Sequence, residues 1–432
     1  MSITADSREN AAPDGTAALF RLEDAAVRCP FLAYEKQRSE TPVYWEPAIE
    51  AFVVTRYDDI VGVTGQPNLF SNRMQSSPAQ AARLQEASMA LLEREPELFA
   101  QGGEVREAQG VLLNADPPQH SRHRSVVNRA FSVRQVRNME DQLTQMVDEL
   151  IDAFDTSGEI DIIPAFGVPL PLKAVSSVLG APTDHLERFK RWSDDFLKPL
   201  SPTIGPDDLK TVIQTQGEFY ALFNSLLDDR LENPQDDLLT VLAQAAPEGE
   251  PLTRAEQLEI SMAVLVAGND TSTKLIAACV LRLAREPELA AQLREDPDLV
   301  AQFVEEMLRL EAPAQGMFRY ATEDTEVGGV AIPAGSMLYL AYASGNRDGA
   351  RFDDPDEIRL DGRDGTPHLS LGHGIHFCLG APLARAEIRI AMQRLLARFS
   401  DISTPLTDAD LDYFVSYQFR GLNSLPVRLT PA

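Results

Sequence analysis

Residues 371–380 read LGHGIHFCLG: one cysteine, Cys378, set among Gly372, Gly374 and Gly380 and preceded by His373 and His376. Glycine admits positive φ and lets a bulky partner approach the backbone closely. The run that follows, LGAPLARAEIRIAMQRLL, has helical apolar spacing with Pro382 in its first turn, which predicts a helix over 381–399. Cys378 then sits at a helix N-terminus, where the dipole and freed N–H groups favour a thiolate. A thiolate held against open backbone suits a metal, and a flat partner points to haem. A zinc site from His368, His373, His376 and Cys378 is the competing reading, but the spacing lacks the paired ligands zinc sites use.

Outward from this stretch, the chain reads as helical. Over 137–154, Met139, Leu143, Met146, Val147, Leu150, Ile151 and Phe154 recur at three- and four-residue intervals. Segments 256–286 and 298–311 follow the same rule. Strand signals are few: 42–47 with 51–57 as an early hairpin, then 337–342 and 425–429. Residues 71–114 have weak periodicity and read as a long irregular insert of the binding-loop kind. At 432 residues the length prior is about two to three domains, yet no linker or repeat divides the chain. The expectation is a disordered tail over 1–17 and one domain over 18–432.

Net charge is −27, which excludes nucleic acid or an anionic membrane as the main partner. Against that balance, 120–137 carries five arginines and no acid, and Arg385, Arg389, Arg394 and Arg398 form a second basic set. Three separated cysteines fit a reducing compartment, and no basic-then-apolar leader opens the sequence.

Other polar residues interrupt apolar patterns. Ala267-Gly268-Asn269-Asp270-Thr271 breaks an otherwise apolar helix: the two small residues leave room for a ligand, and Asp270 with Thr271 can supply protons. Glu306 and Arg309 are spaced to pair on one helix face, but the helical wheel puts Glu306 beside the apolar arc and Arg309 in the polar one. Periodicity alone therefore predicts an exposed pair worth a few tenths of a kcal/mol.

The loop at 371–380 closely resembles the haem-binding loop of the cytochrome P450 family, Phe-Gly-x-Gly-x-His/Arg-x-Cys-x-Gly, with Leu371 where Phe is usual. Further motifs stand in the order this resemblance requires. Asp270-Thr271 resembles the family's acid–alcohol pair. Glu306 and Arg309 resemble the ExxR pair that buttresses the cysteine loop. The usual third base is displaced: Glu357 falls near its place, with Arg359 and Arg363 as substitutes. His120 and Arg124 resemble the HxxxR pair that holds haem propionates, with Arg319 and His376 as two further contacts.

The resemblance implies a mainly α fold with small β-sheets: a helical triangular prism with haem b between the distal oxygen-binding helix and the cysteine-loop helix. It implies a haem-thiolate monooxygenase with Cys378 as iron ligand, Gly372, Phe377 and Gly380 against the cofactor, and Asp270 and Thr271 relaying protons. Electrons from a separate ferredoxin and its reductase follow, because no flavin or iron–sulfur segment is evident. The basic faces become the docking surface, with Arg122 as its test residue. O2 and a medium-sized hydrophobic substrate are the small-molecule partners. Val264, Ala267, Gly316, Met317, Phe318 and Phe419 are expected to line the pocket. A monomer in the cytoplasm completes the expectation. A peroxide-driven enzyme and a non-catalytic haem-fold recruitment module are the alternatives.

Overall fold

The computed structural model describes residues 17–100, 110–201, 203–362 and 365–432. The expected tail, apart from residue 17, lies outside the described residues, as do 101–109 of the expected insert and Arg363.

The axis of the molecule is the helix Arg254–Arg285. Thr253 opens it with a capping box: its Oγ1 accepts from the Glu256 N–H, and Glu256 accepts from the Thr253 N–H at 2.8 Å. It packs against Pro169–Leu179, Leu299–Glu311 and Ala381–Arg398, and their apolar faces merge into one core. By length and composition this helix could cross a membrane, but 67 % of its most apolar window is buried within the protein, as befits a core helix.

The expected helices appear with shifted ends. The 137–154 pattern resolves into Glu140–Asp152, preceded at Met139 by the short helix Val133–Asn138. The expected insert is corrected: it contains the helix Pro78–Arg94, started by Ser77, whose side chain accepts from the Gln80 N–H at 3.1 Å. Its apolar face is narrow: Leu84, Ala87 and Leu91 cluster with Leu98 and with Leu209 and Ile213 of Pro206–Glu232, which explains the weak periodicity.

The main sheet has five strands in the order Val43–Glu46, Ala51–Val54, Met337–Leu340, Met317–Ala321, Phe70–Ser71. Only the pair Ala51–Val54 with Met337–Leu340 runs parallel. The expected second strand stops at Val54, and a helix begins at Tyr57. Residues 426–431 join a smaller sheet with Ile160–Asp161 and Phe399–Ser403. The cysteine loop enters the final long helix, Ala381–Arg398, beneath the long axial helix.

Candidate active site

Gly372 and Gly374 both adopt the left-handed region, with φ of 72° and 71°. At Gly374 a Cβ would also meet the Thr64 carbonyl oxygen at 2.5 Å, so glycine is required twice over. The turn closes through the Cys378 N–H, which donates to the Leu371 carbonyl at 2.7 Å. Burial pushes the Cys378 thiol up. The Gly380 and Ala381 N–H groups, together with the charges of Arg124 and Arg385, pull it back toward thiolate. Gly380 is different from the other two: its backbone is right-handed, and the nearest atom to an added Cβ is the Cys378 sulfur at 4.0 Å. The protein leaves room beside the thiol there.

Behind the loop, Glu306 and Arg309 are 2 % and 1 % exposed, which overturns the exposed pair read from the helical wheel. Arg309 donates to both Glu306 oxygens, at 3.0 and 2.9 Å, and to the carbonyls of Asn346 and Glu357 at 3.1 and 2.8 Å. Irregular chain from 346 to 359 covers the polar side of the helix, and local periodicity cannot register that cover. The Arg359 N–H donates to Glu306 at 3.1 Å, while the Arg359 side chain turns to Asp361. Asn346 carries the support forward. Its Oδ1 accepts from the Leu369 N–H at 2.6 Å, and its Nδ2 donates to Ser370 Oγ at 2.7 Å.

Four basic side chains converge beside the loop. The His120 and His376 rings lie 4.2 Å apart. Burial first, then His120, Arg319 and Arg124, holds the His376 imidazole down at about 3. Burial, Arg124 and His123 likewise depress His120. Arg319 is 5 % exposed and donates to the Phe318 carbonyl at 2.7 Å, and Arg124 donates to the Phe377 carbonyl at 2.7 Å. His376 Nε2 is buried with no hydrogen-bond partner. Mutually repelling bases, two buried and two half-buried, with an orphaned ring nitrogen form a donor set shaped for paired carboxylates. Together with the thiol and the room at Gly380, this set fits haem b with its two propionates.

On the distal side, Ala267 is exposed midway along the otherwise buried axial helix, and Thr271 is half-buried, its hydroxyl donating to the Ala267 carbonyl at 3.2 Å. Asp270 is paired with Lys274 one turn on. Gly268 does not open toward a ligand, because an added Cβ would stand 2.8 Å from Val175 Cγ2; its smallness serves helix–helix packing. Of the expected pocket residues, Ala267, Met317 and Phe419 keep accessible surface. Val264 lies in the main core, and Phe318 is fully buried against Tyr339 and Tyr417. Gly316 is required because a Cβ would collide with the Tyr339 ring. Sequence reasoning also missed Glu387 on the cysteine helix. It is 1 % exposed and pushed by burial to about 8, against a hydrogen bond from Ser272. A carboxylate in the stripe between Ala386 and Ile388 was its signal in the sequence.

The other histidines go elsewhere: His373 Nδ1 lies 3.0 Å from the Thr64 hydroxyl and His368 Nε2 lies 3.3 Å from Glu305. Among the described residues no three His, Cys, Asp or Glu side chains are arranged to hold a metal ion, so the zinc reading falls. The basic faces also sort themselves. Arg122 belongs to an internal triad, donating to Glu256 at 2.7 Å, while His123 Nε2 lies 2.9 Å from the same oxygen. It is therefore unsuited to be the docking test residue. Arg385, Arg389, Arg394 and Arg398 pair with Glu305, Glu140, Asp148 and Asp152, so the second basic set is neutralised. Arg129, Arg134 and Arg137 are exposed and make no ion pair among the described residues.

Residues 207–413 match the family model described as Cytochrome P450. The chain is 34 % identical to Cytochrome P450 107B1 of Saccharopolyspora erythraea, over 95 % of this chain and 97 % of that protein. It is 32 % identical to the Vitamin D(3) 25-hydroxylase of Pseudonocardia autotrophica, over 93 % and 94 % of the two chains. Among solved structures, CYP109E1 from Bacillus megaterium in complex with testosterone superposes with a TM-score of 0.79 at 29 % identity, covering 94 % of this chain and 99 % of that one.

Proposed function

This chain belongs to the cytochrome P450 family and is a monooxygenase that uses haem b, and we propose that it oxidises a hydrophobic molecule of about steroid size with electrons from a ferredoxin. The observation that carries the site assignment is the convergence of a thiol at a helix N-terminus with four bases, His120 and Arg319 buried and Arg124 and His376 half-buried. Haem b, when bound, supplies the O2-activating chemistry, and the chain supplies placement and electrostatics. Cys378 would supply the thiolate that holds the haem iron; its own N–H bonds to the Leu371 carbonyl, and the N–H groups of Gly380 and Ala381 favour its charged form. Gly372 and Phe377 complete the loop against the cofactor. Arg124 and Arg319 would neutralise the propionates, and the His120 and His376 rings would offer them N–H donors. Glu306 and Arg309 hold the loop from behind through Asn346.

Asp270 and Thr271 are the proton-relaying pair, and Ala267, Met317 and Phe419 face the substrate. The substrate class draws support from relatives named for vitamin D3 hydroxylation and testosterone binding, and from the apolar character of these side chains. The acidic partner draws support from the unpaired Arg129, Arg134 and Arg137. We place the protein in the cytoplasm as a monomer. The test is a visible titration of the ferric protein with a steroid, a monoterpene, a long-chain fatty acid and a methoxy-aromatic. A saturable shift of the haem absorption to shorter wavelength with the steroid supports the substrate reading; a shift with another class replaces it. Turnover with peroxide that equals turnover with ferredoxin would overturn the ferredoxin reading.

A further inference from the structure

Lys274 donates to the Asp270 carboxylate, and the two side chains are 8 % and 18 % exposed. The lysine is held in place from outside. A Cβ at Gly421 would collide with the lysine stem, and its ammonium lies 5.0 Å from the centre of the Phe414 ring. Asp270 Oδ2 is buried with no hydrogen-bond partner. On its outer side Lys274 forms part of the wall of a cleft of about 350 Å3. The arginines around that cleft are matched: Arg28 with Asp24, Arg282 with Glu286, Arg285 with Asp408, Arg420 with Glu311. Such a wall retains water and offers no spare charge to select an ion. On the inner side, Ala267 is exposed midway along the helix and Thr271, one turn on, is half-buried. One ammonium therefore stands between a cleft with room for water and the acid of the distal site.

We propose that this cleft is the proton inlet of the distal site and that Lys274 is its inner station. The Lys274 Nζ–H bond breaks as an Asp270 Oδ–H bond forms, leaving a neutral amine beside a neutral carboxyl. Water in the cleft returns a proton to the amine, and Asp270 passes its own toward Thr271; no oxidant or reductant is consumed. The inference rests on the monooxygenase reading above, in which Asp270 delivers protons.

Two variants of the holoenzyme test it. Lys274→Met keeps an unbranched stem against Gly421 and Phe414 but carries no proton. Ala278→Phe fills the cleft one turn further along the helix and leaves the ion pair in place. Infrared spectra of the ferric protein, with the Asp270 bands assigned through Asp270→Asn, report the carboxyl without turnover. The expected result is a shift of the Asp270 carboxylate bands in Lys274→Met, which lacks the ammonium partner, against unchanged bands in Ala278→Phe. Ferredoxin-driven turnover is expected to fall at least tenfold in Lys274→Met and severalfold in Ala278→Phe, with an enlarged solvent isotope effect in both. Turnover within twofold of the parent and an unchanged isotope effect in either variant would overturn the inlet. A parent protein without a thiolate-type ferrous–CO spectrum would instead remove the monooxygenase reading; an intact spectrum with indifferent variants removes the inlet alone.

Discussion

Glu387 shows how far burial moves a single side chain. Its carboxyl is raised from 4.5 to about 8, so between those pH values the folded protein holds a proton that the unfolded chain has released. Stability is therefore present below about pH 4.5 and drains away as pH rises to about 8, by up to roughly 5 kcal/mol at about 1.4 kcal/mol per pH unit. Glu387→Gln, which stays neutral, is expected to flatten this slope; urea midpoints at pH 5 and pH 8 check it, and an equally steep fall in the variant would refute the assignment. The four bases make a second prediction at this scale. Each charge-assisted hydrogen bond to a carboxylate contributes about 1.5–3 kcal/mol. Arg319→Ala and Arg124→Ala should each lose haem to an acceptor protein about ten- to a hundredfold faster, with the thiolate-type spectrum of the remaining haem unchanged. Equal loss rates would remove these residues from the propionate set.

At the level of elements, the cysteine loop is shaped by its own glycines but held in position by the helix Leu299–Glu311. Asn346 is the connector, accepting from the buried Leu369 N–H at 2.6 Å. Asn346→Ala leaves that N–H unsatisfied, at a cost of about 1–3 kcal/mol. The expected outcome is faster thermal loss of the thiolate-type ferrous–CO band with unchanged far-ultraviolet circular dichroism; an unaltered half-life would mean that Arg309 holds the loop without it. The pair itself is a harder case. Removing one partner of a buried ion pair costs about 3–5 kcal/mol, so Arg309→Ala is expected to fail to retain haem at all.

Across the whole molecule, a net charge of −27 coexists with exposed arginines outside any ion pair among the described residues, because pairing is selective. Arg389, Arg394 and Arg398 spend their charge on the helix Glu140–Asp152, tying it to the cysteine helix. Arg129, Arg134 and Arg137 do not. Reversing Arg129 and Arg134 to Glu is expected to slow reduction by ferredoxin about tenfold at low ionic strength and to converge with the parent at high salt. Arg394→Glu should lower the melting temperature and leave reduction rates alone. Stopped-flow reduction across a salt series separates the two; equal effects would mean that these arginines are not a docking surface.

The sequence by itself determined the cysteine loop and the frame of the fold. Positive φ at Gly372 and Gly374, the capping box at Thr253 and the apolar stripes of the long helices depend on neighbours within a turn or two. Such features are legible because backbone sterics and the helical period are local. The Lys274–Asp270 pair, at i,i+4, is local too, but the sequence reading set Asp270 beside Thr271 and passed Lys274 over. Only the tertiary structure decided which charges are buried and which are free. Arg309 meets Glu357 across 48 positions, Arg122 meets Glu256 across 134, and Arg394 meets Asp148 across 246. No local pattern encodes such distant partners. An arginine on the polar arc of a helix looks the same in sequence whether chain or water covers it, and that cover turned Arg309 into a buried buttress and left Arg129 on the surface.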